Sequence, residues 1–176
     1  MKVRYQFYEP GCFSCSHLVI QGVGAGETRY CAGFPKRKKP KRFRSSDPKI
    51  KAPSWCPRRI TPPALRVYGF RDEQSRMMEL DSLPQYGRLA PAYISPNGRH
   101  YKLRLETTTN LTARQFFKLY HKGVGLEEIE ESLEVGEVIE IDNGLRPYFF
   151  FCYSYSKLIP VATFQKPTAA RKTASD

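Results

Sequence analysis

No stretch of this chain is apolar for long enough to cross a bilayer. The longest, PYFFFCYSY at 147–155, is far shorter than the roughly 20 residues a membrane helix needs. The N-terminal residues MKVRYQFYEP carry charge within their first four positions and contain no apolar run of signal-peptide length. The reading is therefore a cytoplasmic protein with no membrane partner. Recognisable catalytic sets are also missing. His100 and His121 stand alone, with no serine or cysteine nearby in a nucleophile motif. Gly22-Val23-Gly24-Ala25-Gly26 lacks the Gly-Lys-Ser/Thr ending of a phosphate loop and has no helix after it, so it reads as a hairpin turn. Glu127, Glu128, Glu130, Glu131 and Glu134 read as a solvated helix face. An enzyme is not expected.

Acidic residues are nearly missing from the first third. Residues 1–66 hold 15 Lys and Arg against 3 Asp and Glu, whereas residues 67–176 hold 14 of each, so the whole net charge of +12 lies in the first part. An excess so localised points to a polyanionic partner, most often nucleic acid. Disorder is excluded for most of the chain by 40% hydrophobic and 13% aromatic residues, enough to build a core.

Five cysteines are present, an odd number, and a reducing compartment disfavours stable disulfides. Cys12 and Cys15 have the spacing of a metal knuckle, Cys31 ends a glycine-turned hairpin formed by 17–22 and 27–31, and Cys56 sits in PSWCP. Zinc takes about four such ligands in a tetrahedron and, with all four positions filled by protein, holds structure without catalysing. Cys12, Cys15, Cys31 and Cys56 are the expected set, with His17 as the alternate ligand. Cys152, among aromatics, reads as a packed thiol.

Between the third and fourth cysteines runs PKRKKPKRFRSSDPKIK, with three prolines and little apolar periodicity, read as an extended loop or arm. Lys36, Arg37, Lys38, Lys39, Lys41, Arg42, Arg44, Lys49, Lys51, Arg58 and Arg59 are candidates for phosphate contact, and Phe43 for stacking on an exposed base. Phe34 and Trp55 read as structural.

The expected fold is α+β: a small zinc-bound β-hairpin module (1–63) followed by a mixed α+β domain with antiparallel hairpins (64–160) and a flexible tail (161–176), with TPP at 61–63 as punctuation. Strands are expected at 2–8 and 64–70, and a helix over 72–83 capped by Asp72. A hairpin is expected over 92–106 with its turn at Pro96-Asn97-Gly98. A helix follows behind the capping-box pair Thr112 and Gln115, ending at Gly123, and an acidic helix over 126–133. A second hairpin joins 137–141 to 146–156 through Asn143-Gly144, with positive φ expected at both.

The elements CxxCxH, YCxGF, KRF, DPK and PxWCPRR, all within residues 12–59, resemble a pattern of small, uncharacterised cysteine-rich proteins of phages and conjugative elements in Gram-positive bacteria. That resemblance implies an accessory protein of a mobile element. Small proteins of that setting include inhibitors of host defence, anti-CRISPR proteins among them. A DNA-mimicking decoy should be acidic, and this module is basic. The leading expectation is a non-enzymatic, zinc-stabilised nucleic-acid-binding accessory protein; the alternative is an anti-CRISPR-type inhibitor that docks on a host nucleoprotein effector such as a CRISPR nuclease.

Overall fold

The computed structural model describes residues 11–83, 95–123, 129, 133–161 and 163–167. It is an α+β fold with two antiparallel sheets. In the smaller sheet, β1 (Leu18–Gln21) pairs with β2 (Thr28–Cys31), and β2 pairs in turn with β3 (Lys41–Arg42). The β1–β2 connection uses Gly22 at φ +89°, where a Cβ would stand 2.6 Å from the Gly26 carbonyl oxygen, so the turn requires glycine there. The hairpin expected from the sequence is thus present. The basic run differs from expectation, because part of it is folded back as β3 along Cys31.

The larger sheet has the order β5-β4-β6-β7-β8, where β4 is Ala64–Phe70, β5 Tyr101–Thr108, β6 Val138–Asp142, β7 Pro147–Ser154 and β8 Lys157–Val161. Helix α1 (Glu73–Asp81) follows β4, and its N-cap is Asp72, whose carboxylate accepts from Ser75 N–H at 2.7 Å. Those bonds, first from the Ser75 backbone and then from its side chain, hold the Asp72 carboxyl below the usual range. Helix α2 (Ala113–Tyr120) begins with the full capping box of Thr112 and Gln115.

Period-two alternation sends each strand's apolar residues to two covered faces. Leu65, Val67, Ile139, Ile141 and Phe150 pack with Ala113 and Phe116 of α2. On the opposite face Tyr68, Tyr101, Val138, Phe151, Ile159 and Phe164 form a second cluster. Each large apolar side chain so buried contributes about 1.5–3 kcal/mol. The central strand β6 is buried on both faces, and its Glu140 is fully enclosed. That carboxylate accepts from the Tyr68 hydroxyl at 2.6 Å and pairs with Arg66 at 3.3 Å and with Lys166. Burial, then the bond to Glu140, pushes the Tyr68 hydroxyl well above its ordinary pKa.

Several expectations are corrected. The tail does not start at 161: Val161 ends β8, and the Phe164 ring lies 5.2–5.5 Å from those of Tyr68, Tyr101 and Phe149. The β6–β7 turn has positive φ at Gly144 only, +78°, because it is a longer loop stabilised by side chains. Asp142 accepts from Gly144 N–H, and Asn143 accepts from Leu145 and Arg146 N–H. The expected hairpin itself is present, β6 pairing with β7 from Val138 opposite Phe151 to Asp142 opposite Pro147, and β8 adds a further strand on β7. At 96–98 there is a helical turn, 98–100, capped by Asn97, and the following strand β5 pairs with β4. The other arm of that expected hairpin, the strand at 2–8 and most of the helix at 126–133 lie outside the described residues, although Ile129 and Leu133 are buried in the core.

The two sheets meet. Ile60 N–H, in the segment that joins them, donates to the Asn143 carbonyl of the β6–β7 turn at 2.8 Å, and Leu145 packs on the cysteine cluster. Among the described residues no helix is long and apolar enough to cross a membrane.

Candidate metal centre and basic surface

Two turns and the end of a strand bring the cysteines together. Residues Cys12–Ser14 form one helical turn, closed by Cys15 N–H donating to the Cys12 carbonyl at 3.0 Å. Cys31 ends β2 opposite Leu18, one register step from that turn. Cys56 closes a turn by donating its N–H to the Pro53 carbonyl at 3.1 Å. The chain from 50 to 56 returns to this place because Cys12 N–H donates to the Ile50 carbonyl at 3.0 Å and Gly11 bridges to Lys51.

Cys12, Cys15, Cys31 and Cys56 line one small cavity of about 20 Å³, together with His17, Leu18, Phe43 and Pro57. That volume matches a single water-sized particle. The Cys12 thiol is pushed above its usual pKa, first by burial and then by the nearness of Cys56, Cys15 and Cys31. All four thiols are unpaired by disulfides. Among the described residues no group of three or more His, Cys, Asp or Glu side chains is placed so that it could hold a metal ion. His17 is exposed, its ring beside Gly33. Cys152, expected as a packed thiol, is fully buried in the main core beside the Tyr120 hydroxyl.

The aromatics of the basic run build the wall of this cluster. Phe43 is only 8% exposed and meets Trp55 edge-on at 4.9 Å, so its ring is not available to stack on a base; that expectation is corrected. Phe34 stacks on Trp55 from 6.1 Å, and the Lys41 ammonium sits 4.0 Å over the Trp55 ring. Asp47, the one acid in the run, accepts from Arg44 N–H at 2.7 Å and from Trp55 Nε1 at 2.9 Å, and these bonds depress its pKa. Arg29 donates to the Lys49 carbonyl at 2.8 Å and covers the Phe43 ring. The run is therefore a wrapped segment laid over the cysteine cluster.

Of the expected phosphate contacts, Lys36, Arg37, Lys38, Lys39, Arg42, Arg44, Lys49, Lys51 and Arg58 are exposed. Lys41 and Arg59 are half-buried; Arg59 donates to the Pro53 and Ala52 carbonyls at 3.0 and 2.8 Å and ties down the turn before Cys56. Their first service is structural.

Where the two sheets meet lies a cleft of about 450 Å³ that sequence reasoning missed. Its walls come from residues 50–51, 59–63, the start of α2 and the β6–β7 turn. Nothing local in the sequence announces it, since it arises from docking of distant segments.

No protein-family model, curated protein or solved structure matches this chain.

Proposed function

We propose that the N-terminal module is a zinc-stabilised, non-enzymatic nucleic-acid-binding element whose wrapped basic segment lies along phosphates. The observation that carries this reading is the meeting of four cysteines, from two turns and the end of β2, around one small cavity beneath a segment whose cations are exposed. Four thiolates at about 2.3 Å would complete a tetrahedral zinc shell and leave no position for a reacting water. The metal then serves to fold the module, because binding and local folding are coupled. Exposed Lys and Arg neutralise phosphates and release condensed counterions. A cytoplasmic mobile-element setting fits this role, and an acidic or ribonucleoprotein partner is the competing outcome.

The test is affinity for single-stranded and duplex DNA and RNA against salt. With four or five phosphates engaged, affinity should fall on the order of a hundredfold between about 50 and 200 mM salt. Changing Lys36, Lys38, Lys39 and Arg42 together to Ala should flatten that dependence and keep the metal, because none of them lines the cysteine cavity. Lys41 is left in place because it packs on Trp55. Absence of binding to every nucleic acid at low salt would refute the proposal and favour a protein or nucleoprotein target.

A further inference from the structure

We infer that the cleft between the two sheets receives the base of one nucleotide from a single strand whose phosphates lie on the basic segment. This deepens the proposed function and rests on it. Ligand sites are concave, mostly apolar and a few hundred Å³ in volume, with a few polar groups that orient the ligand. This cleft has about 450 Å³, and its apolar surface comes from Ile50, Ile60, Pro63, Ile141, Leu145 and Tyr148. A flat, aromatic, weakly solvated base suits such a surface, and a phosphate does not.

Among the described residues that line it, the charged ones are Lys51, Arg59 and Arg114, and no Asp or Glu is among them. Lys51 and Arg114 are exposed, so they stand where a backbone phosphate would enter. Asn143 supplies an orienting group: its side-chain oxygen is engaged by the turn, which leaves the NH₂ as a donor to a base carbonyl. Ile50, 72% exposed, is a large apolar side chain at the mouth that a bound base would cover.

The cleft is continuous with the phosphate surface. Lys49 and Lys51 belong to the basic segment, and Lys51 is also a wall of the cleft. The same stretch holds the cysteine turn, through Cys12 N–H on the Ile50 carbonyl, and the opposite wall follows Cys56, with Arg59 N–H on the Cys56 carbonyl at 3.0 Å. Both walls therefore hang from the turns that carry Cys12 and Cys56. Phe43, the ring that the sequence offered for base stacking, is buried; the cleft takes its place.

The experiment compares a fluorescein-labelled oligothymidylate with a strand of equal length and charge made of abasic residues, by fluorescence anisotropy at low salt. The intact zinc-loaded chain should bind the base-bearing strand about tenfold or more tightly, the scale of one stacked base. In Ile50→Asp, at an exposed position of the apolar mouth, that preference should vanish while circular dichroism stays unchanged, whereas Arg114→Glu should weaken both strands alike. Equal affinity of the wild type for both strands overturns the cleft and leaves the phosphate surface standing. A preference kept by Ile50→Asp places the base elsewhere and overturns it too. Binding to neither strand overturns the cleft together with the nucleic-acid reading.

Discussion

Replacing Gly144 by Ala should destabilise the protein by about 2 kcal/mol, and the reason is docking between the sheets as much as backbone strain. Gly144 has φ +78°, a region that costs an L residue about 1–2 kcal/mol. An added methyl would run into the Arg58 carbonyl and would stand 2.8 Å from Ile60 Cγ1 and 2.9 Å from the Ile60 nitrogen. That nitrogen donates to the Asn143 carbonyl at 2.8 Å, so the clash also threatens a bond worth about 1 kcal/mol. Against these stands the lower entropy of the unfolded alanine chain, about 0.4–1 kcal/mol in its favour. Gly123 is the internal control. It has φ +63° but nothing within 4 Å of a built Cβ, so Gly123→Ala carries the strain without the collision. Urea unfolding of both variants, with unchanged m, separates the two effects. If Gly144→Ala is no worse than Gly123→Ala, the β6–β7 turn is not seated on residues 58–60 and the junction described above is wrong.

Phe164→Ala should cost about 3 kcal/mol, the usual range for a buried phenylalanine, read as a fall in the denaturation midpoint; a change below about 0.5 kcal/mol would return residues 161–167 to the status of a tail. Tyr68 has a raised folded pKa, from burial and from donating to Glu140. Its contribution is therefore complete below the ordinary tyrosine value of 10.0 and is lost as pH rises above it. Ultraviolet titration should show this tyrosine ionising only with alkaline unfolding, and Tyr68→Phe should lessen the loss of stability above pH 10.0; a normally titrating Tyr68 would contradict the buried Tyr68–Glu140 bond.

What was legible in the sequence was local. Asp72 and the Thr112–Gln115 pair announce their helices because a cap bonds to a backbone nitrogen three residues on. The β1–β2 hairpin was legible through its glycines. Elements set by distant contacts were not. β8 contains Pro160, which reads as a break, yet Pro160 stands at the sheet edge opposite Phe150 where its missing N–H costs little. Phe164 is an isolated aromatic whose burial depends on three rings from three other strands. Phe43 alternates with cations and so resembles a presented base-stacking ring, but the cysteine module is too small to shield its cavity without it. Asn143 suggested a two-residue turn, and the longer loop was chosen by side-chain bonds and by the seat it offers to Ile60. Spacing singled out the four cysteines, and their gathering around one cavity rests on a chain return through Ile50 and Lys51 that no spacing encodes.

X-ray absorption at the zinc edge, on full-length protein purified without chelators, tests the central claim most directly. The expected result is about one zinc per chain with four sulfur neighbours at about 2.3 Å, reduced in occupancy by Cys56→Ser. A shell of three sulfurs and one nitrogen at about 2.0–2.1 Å would replace one cysteine by His17. Protein that carries no zinc, or zinc with a shell mainly of oxygen, would contradict the account.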